Sequence, residues 1–356
     1  MAIKSDFRHP SSDISHQPSD LSGHINKMLL YFSNFDYVPT IDEIYEFYPK
    51  KVSKSTVGEY LKKNQKLKIK SQNFQKEREK RKRISEHKVN LISTYIKLLS
   101  RFPQIKLVGL SGTVAMNNAK VNDDIDLFII TAENRLWTGR LVALMLSQLF
   151  NLRRKRSGNI VIASDQAPNG AWERGNLVTN KTVYNNGIAS SADVRRLPRN
   201  DIRVKNKVCL NLFFDESNLQ VPKYKQTEYV AHEVLQMKPL ISKDQVYERF
   251  LKANEWVFGF FPNAEKTSAK FKVQNSKLQF KIQNYPKNFK LLTLIFNFSL
   301  LIFNLLAEGI ETLIKNLQLM LINRHKTSEI ITDTQLWFFP DDYELKIHEL
   351  TRIKKI

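Results

Sequence analysis

The stretch from Gly109 to Thr131, GLSGTVAMNNAKVNDDIDLFIIT, leaves this chain few ways to fold. The apolar residues Ile105, Leu107 and Val108 lead into it and read as a short buried strand. A turn of small residues follows at Ser111, Gly112 and Thr113. A polar connection then reaches Asp123-Asp124-Ile125-Asp126, which runs into the apolar Leu127 to Ile130. Asp124 and Asp126 stand two apart at the entry to a strand, so the period of two puts both carboxylates on one face. Ile125 and Leu127 take the opposite, buried face. Adjacent carboxylates repel, and the usual compensation is a hard divalent cation, Mg²⁺ or Mn²⁺, whose shell is built from oxygens.

These residues resemble the nucleotidyltransferase superfamily, as found in DNA polymerase beta and the minimal nucleotidyltransferases. The family signature is Gly-Ser at the start of a helix, a spacer, then Asp-x-Asp on the next strand. Gly112 and Thr113 stand in the Gly-Ser place, Thr keeping the hydroxyl, with Ala115 where the family has a small residue. Asp124 and Asp126 stand in the Asp-x-Asp place. The resemblance implies an α+β fold: a small mixed sheet with helices of the nucleotidyltransferase type. It implies that Asp124 and Asp126 are catalytic and hold one or two Mg²⁺ (or Mn²⁺) ions, and that Gly112 and Thr113 bind the phosphates of a nucleoside triphosphate (NTP). The family also places a third carboxylate on a later strand. Here the apolar run Lys207 to Phe214 reads as that strand, with Asn211 at its centre and Asp215 at its end. Asn ligates a metal through its carbonyl oxygen but cannot accept a proton as a base. Three alternatives stand open: Asp215 or another acid replaces it, two carboxylates suffice, or the domain has lost activity.

The chain has 356 residues, enough for two or three domains. Its formal net charge of +21 favours polyanionic partners without choosing among nucleic acid, anionic lipid and nucleotide. A single cysteine, Cys209, excludes an intramolecular disulfide and a thiolate zinc cluster, and its apolar neighbours make it a buried strand residue. Met1 to Asp20 lacks the apolar core of a signal peptide, so a cytoplasmic location is expected.

In chain order, residues 1–22 read as a disordered leader and 23–73 as a winged-helix-like domain. Ile25, Met28, Leu29 and Phe32 fall at helical spacing. Thr40 and Glu43 form a capping box for a second helix, and Ser53 or Ser55 caps a third, Lys54 to Lys63. Leu67 to Gln72 alternates as a short strand would. The third helix, with Lys54, Ser55, Thr56, Lys62 and Lys63, would face nucleic acid, or the module packs on its neighbour or a protein. Residues 74–102 read as a basic connecting helix, its Lys76 to Arg83 run a solvated face or a grip on phosphates. Residues 103–221 form the nucleotidyltransferase domain, with an amphipathic helix from Leu136 to Leu152 covering the sheet. Within it 157–206 reads as an insertion, or else as a substrate loop.

Residues 222–356 read as a helical C-terminal region. His232 and Glu233, side by side on a helix, line the cleft or serve structure. The apolar run 291–307 is short for a bilayer span. A polar stripe continuing through Glu308, Glu311 and Lys315 makes it an amphipathic helix of a bundle, so membrane contact is not expected. Trp337 and Phe338 read as a docking anchor. The expected function is Mg²⁺-dependent transfer of a nucleoside monophosphate from an NTP to a hydroxyl of RNA, protein or a small molecule. The alternative is an inactive relative that binds nucleic acid through the basic N-terminal region or senses nucleotide.

Overall fold

Apolar runs buried on both faces set the centre of the sheet. In a computed structural model that describes residues 18–63, 65–153, 207–264, 307–324 and 329–338, these runs are β1 (Ile105–Leu110), β2 (Ile125–Thr131) and β3 (Val208–Asp215). β2 pairs antiparallel with β1 and parallel with β3. Three shorter strands complete the sheet: β4 (Lys238–Ser242), β5 (Ile330–Ile331) and β6 (Gln335–Trp337), in the order β4-β1-β2-β3-β6-β5. The architecture is mixed α+β. The proposed insertion 157–206, the apolar run 291–306, and Phe339 and Pro340 lie outside the described residues.

Period two divides the core. Ile125, Leu127 and Ile129 face one side, with Val108 and Phe213. There they meet α5 (Ser93–Leu99), α7 (Leu136–Leu149) and α11 (Ala307–Asn323) through Ile96, Trp137, Leu146 and Ile314. Phe128 and Ile130 face the other side, with Leu107 and Phe214. That side is covered by α1 (Pro18–Ser33), α2 (Ile41–Glu46) and α3 (Lys54–Lys63) together with α8 (Glu228–Gln236), α9 (Val246–Ala253) and α10 (Val257–Phe260). The N-terminal helices share this core with α8 and α9: Phe32, Tyr48 and Val57 belong to the same cluster as Val230 and Phe250. Asn263 fastens the two groups, donating to Tyr48 O and Lys50 O and accepting from Val52 N.

Local signals explain several boundaries. Thr40 accepts from Glu43 N while the Glu43 carboxylate accepts from Thr40 N, the reciprocal capping box that opens α2. Ser53 Oγ accepts from Thr56 N at 3.1 Å and opens α3. Helix α1 starts at Pro18, earlier than the hydrophobic spacing indicates.

Two expectations are corrected. Leu67 to Gln72 is not a strand: it lies within the long helix α4 (Gln65–Leu91), so no wing follows the three helices. The chain beyond residue 221 is not wholly helical either, because β4, β5 and β6 all come from it. Pro239 sits in β4, at the sheet's edge, where a missing N–H is tolerated.

Helix α4 is more than a solvated connector. Arg78 donates to Val38 O and to both oxygens of Glu43, and Arg81 donates to Asp36 O and Asn118 Oδ1 at 2.9 Å each. Lys76, Lys80, Lys82 and Arg83 are exposed. At the other end, the Glu311 carboxylate on α11 accepts from Trp137 N and Thr138 N, capping α7 from outside. Among the described residues no helix is long and apolar enough to cross a membrane.

Candidate functional site

β1 ends at Leu110, and the chain turns at once into the short helix α6 (Gly112–Ala115). Ser111 stays extended and donates its N–H to Asp126 O at 3.1 Å, carrying the ladder one residue further. Gly112 then adopts φ +60, the left-handed region that favours glycine. A Cβ there would stand 2.7 Å from Asp126 Oδ2. The backbone of the small-residue turn thus lies directly against the carboxylate at the start of β2, an approach that glycine's lack of a side chain favours.

Asp126 shares its face of β2 with Phe128 and lines a cavity of about 290 Å³. Across the sheet, the register of β2 with β3 shifts between Leu127↔Leu210 and Phe128↔Leu212, which leaves Asn211 as an extra residue. This bulge brings both Asn211 and Leu212 to the cavity wall. Asn211 Nδ2 donates to Asp126 Oδ1 at 3.4 Å, and Asn211 Oδ1 accepts from Cys209 Sγ at 2.9 Å. The buried Cys209 is thereby a strand residue, in keeping with its neighbours.

Asp215 is not among the residues that line this cavity. It pairs with Thr131 at the far end of β3 and is buried. Its carboxylate accepts from Ser217 N and Oγ and from Arg135 N, binding the turn and the start of α7. The bulge, invisible to a strict period of two, separates its surroundings from those of Asn211.

Helix α8 sends its two polar neighbours in different directions. Glu233 lines the cavity, accepts a hydrogen bond from the Gly112 N–H and another from Tyr229, and is pushed up to about 7 by burial. His232 is not part of that lining and packs within the same core, against the N-terminal helices. It stacks on Tyr31 at 4.5 Å with Phe47 and Phe261 also 4.5 Å away, and burial lowers it to about 3. His232 is a neutral core side chain.

Thr113 also lines the cavity, and its hydroxyl donates to Asp123 Oδ2 at 3.2 Å. Asp123 further accepts from Lys120 N at 2.8 Å, which makes it the organiser of the loop before β2. Only its place in the acidic run hinted at this. Lys88, buried on α4, donates to Val121 O and Asp123 O and pins the same loop. Burial lowers the Lys88 ammonium, and Asp123 and Asp124 oppose that. Asp124 is half-buried, immediately before β2 and outside the cavity lining.

Among the described residues no group of three or more His, Cys, Asp and Glu is placed to hold a metal. The donors on hand near the turn are carboxylate oxygens, Asn211 turning its Nδ2 toward Asp126. Such a set fits Mg²⁺, which retains waters and takes one or two carboxylates plus substrate phosphates in preference to a full protein cage. No family model matches the chain, and neither a curated protein nor a solved structure matches it.

Proposed function

We propose that this protein is a nucleotidyltransferase that moves a nucleoside monophosphate from an NTP to a hydroxyl acceptor. The observation that carries the reading is the apposition of Gly112 and Asp126: a glycine turn and a strand-borne carboxylate share one wall of one cavity. Asp124 and Asp126 would hold Mg²⁺ or Mn²⁺, which when bound neutralises triphosphate charge and lowers the pKa of an acceptor hydroxyl.

The chain's own groups do the positioning. Gly112, without a side chain, lets a triphosphate approach the backbone N–H groups. The Gly112 N–H is held by Glu233 and the Thr113 hydroxyl by Asp123, so phosphate binding exchanges these partners for its own oxygens. The acceptor oxygen attacks the α-phosphorus, the bond to the bridging oxygen of the β-phosphate breaks, and pyrophosphate leaves. The hydroxyl proton goes to Glu233, the carboxylate on the cavity wall whose affinity for a proton burial has raised.

A second reading is favoured by Asn211, whose amide occupies Asp126 where a third carboxylate would bind metal. In it the domain binds nucleotide without turnover, and exposed Lys54, Lys62 and Lys63 on α3 meet nucleic acid. Incubation with each of the four α-³²P-labelled NTPs and Mg²⁺ or Mn²⁺, with and without cellular RNA and protein, separates the two. Label on an acceptor, absent with Asp124→Asn/Asp126→Asn, supports transfer. Nucleotide binding with no label under any condition supports the second reading.

A further inference from the structure

One wall of the cavity beside Asp126 comes from the N-terminal helices. Tyr31 on α1 and Phe35 just beyond it line the cavity together with Gly112 and Asp126. Both rings are half-buried. The Tyr31 ring is held in one plane: it stacks on His232 at 4.5 Å and 14°, while Phe32 and Phe35 brace it at 77° and 60°. His232 is not part of the lining, so the stack backs the ring from outside the cavity. The end of α1 is also tied to the Gly112 turn. Asn118, beyond α6, donates Nδ2 to Phe35 O at 3.0 Å and its backbone N–H to Thr113 O at 2.8 Å. Lys120 pairs with Asp36 at 2.6 Å, and Arg81 bridges Asp36 O and Asn118 Oδ1. These contacts hold Tyr31 and Gly112 in a set relation.

A ring held flat near a glycine turn matches the two parts of a nucleotide. Every base has a π-face that stacks on an aromatic side chain, and a triphosphate takes the backbone N–H groups of a turn. Lys225, Tyr229 and Gln236 line the same cavity and carry hydrogen-bonding groups that suit the polar edge of a base. We infer that Tyr31 is a nucleotide-binding residue contributed by the N-terminal helices: the base of the NTP stacks on its ring while the triphosphate lies at Gly112. The inference rests on the transfer reading, from which it takes the NTP. It makes α1 part of the site.

The test uses the full chain with Mg²⁺ and two probes. One is 2-aminopurine riboside triphosphate, whose emission falls when its base stacks; the other is inorganic triphosphate, which has no base. Calorimetry reads the affinity of each. The wild type is expected to bind both and to quench the first. Tyr31→Leu, which keeps bulk without a π-face, is expected to weaken the nucleotide about tenfold or more, the order that loss of one base–aromatic stack implies, and to relieve the quenching. Tyr31→Phe is expected to restore both, and inorganic triphosphate to bind the wild type and Tyr31→Leu alike. Tyr31→Met serves where Tyr31→Leu does not fold. Equal weakening of the two probes by Tyr31→Leu overturns the inference and leaves Tyr31 a support of the fold. Nucleotide binding that Tyr31→Leu does not change overturns it with the transfer reading intact. Binding of neither probe to the wild type removes the transfer reading and the inference with it.

Discussion

Asn211 Nδ2 donates to Asp126 Oδ1 at 3.4 Å across two parallel strands, at the bulge where β3 carries one residue more than β2. The amide thus satisfies a carboxylate that a second acid would repel. Asn211→Asp is expected to lower stability in EDTA by about 1 kcal/mol, the order of a like-charge pair on neighbouring strands. Mg²⁺ or Mn²⁺ is expected to restore it, and to do so less in the wild type. Thermal unfolding with and without metal measures both effects. An equal metal response in the two proteins would mean that no cation binds beside residue 211.

Replacement of Gly112 is costly. Gly112→Ala combines a left-handed backbone, worth about 1–2 kcal/mol for a residue with a Cβ, with a carbon 2.7 Å from Asp126 Oδ2. The expected outcome is a destabilisation of about 2 kcal/mol or more and loss of NTP binding, read by denaturant unfolding and calorimetry.

Glu46 on α2 makes stability fall with rising pH. Burial first, then the charges of Glu43 and Asp42, raise its carboxyl to about 7 from 4.5. The native state therefore prefers it neutral. Its contribution is fully present below about 4.5 and is lost as pH rises through about 7. Glu46→Gln is expected to unfold like the wild type at acid pH and to be the more stable of the two above neutrality, by about 1–3 kcal/mol. Unfolding curves across that interval test the sign.

His232 is expected to behave as a core ring. His232→Phe should keep the fold and any activity, while His232→Ala should lose about 2–4 kcal/mol by leaving a void among Tyr31, Phe47 and Phe261. An activity profile in pH that changes with His232→Phe would return an acid–base role to it.

The central strands were readable because they are largely buried, so that Leu127 to Ile130 is an unbroken apolar run and Val208 to Phe214 is interrupted only by Asn211. The capping box at Thr40 was readable because it is a local exchange of hydrogen bonds. What escaped depends on contacts distant in sequence. The alternation of Leu67 to Gln72 has the period of a strand, but with no Gly or Pro to interrupt it the segment continues into α4. β4, with Pro239 in five residues, is a strand only because β1 offers it an edge. The polar stripe of α11 marked an amphipathic helix but not its orientation: Glu311 and Gln318 point onto α7 while Leu317 and Leu321 are exposed. At the site, Gly112 and Asp126 were legible from spacing, and Glu233 from its neighbourhood. The bulge at Asn211, which decides what faces Asp126, was not.

Nucleotidyl transfer is tested most directly by comparing the fate of two labels. One NTP carries ³²P at the α-phosphate and a matched one at the γ-phosphate, each incubated with the protein, Mg²⁺ and an acceptor mixture. The account predicts that α-label becomes attached to the acceptor while γ-label appears as pyrophosphate, and that Asp126→Asn abolishes both. Release of γ-label as inorganic phosphate, or its attachment to the acceptor, would contradict it.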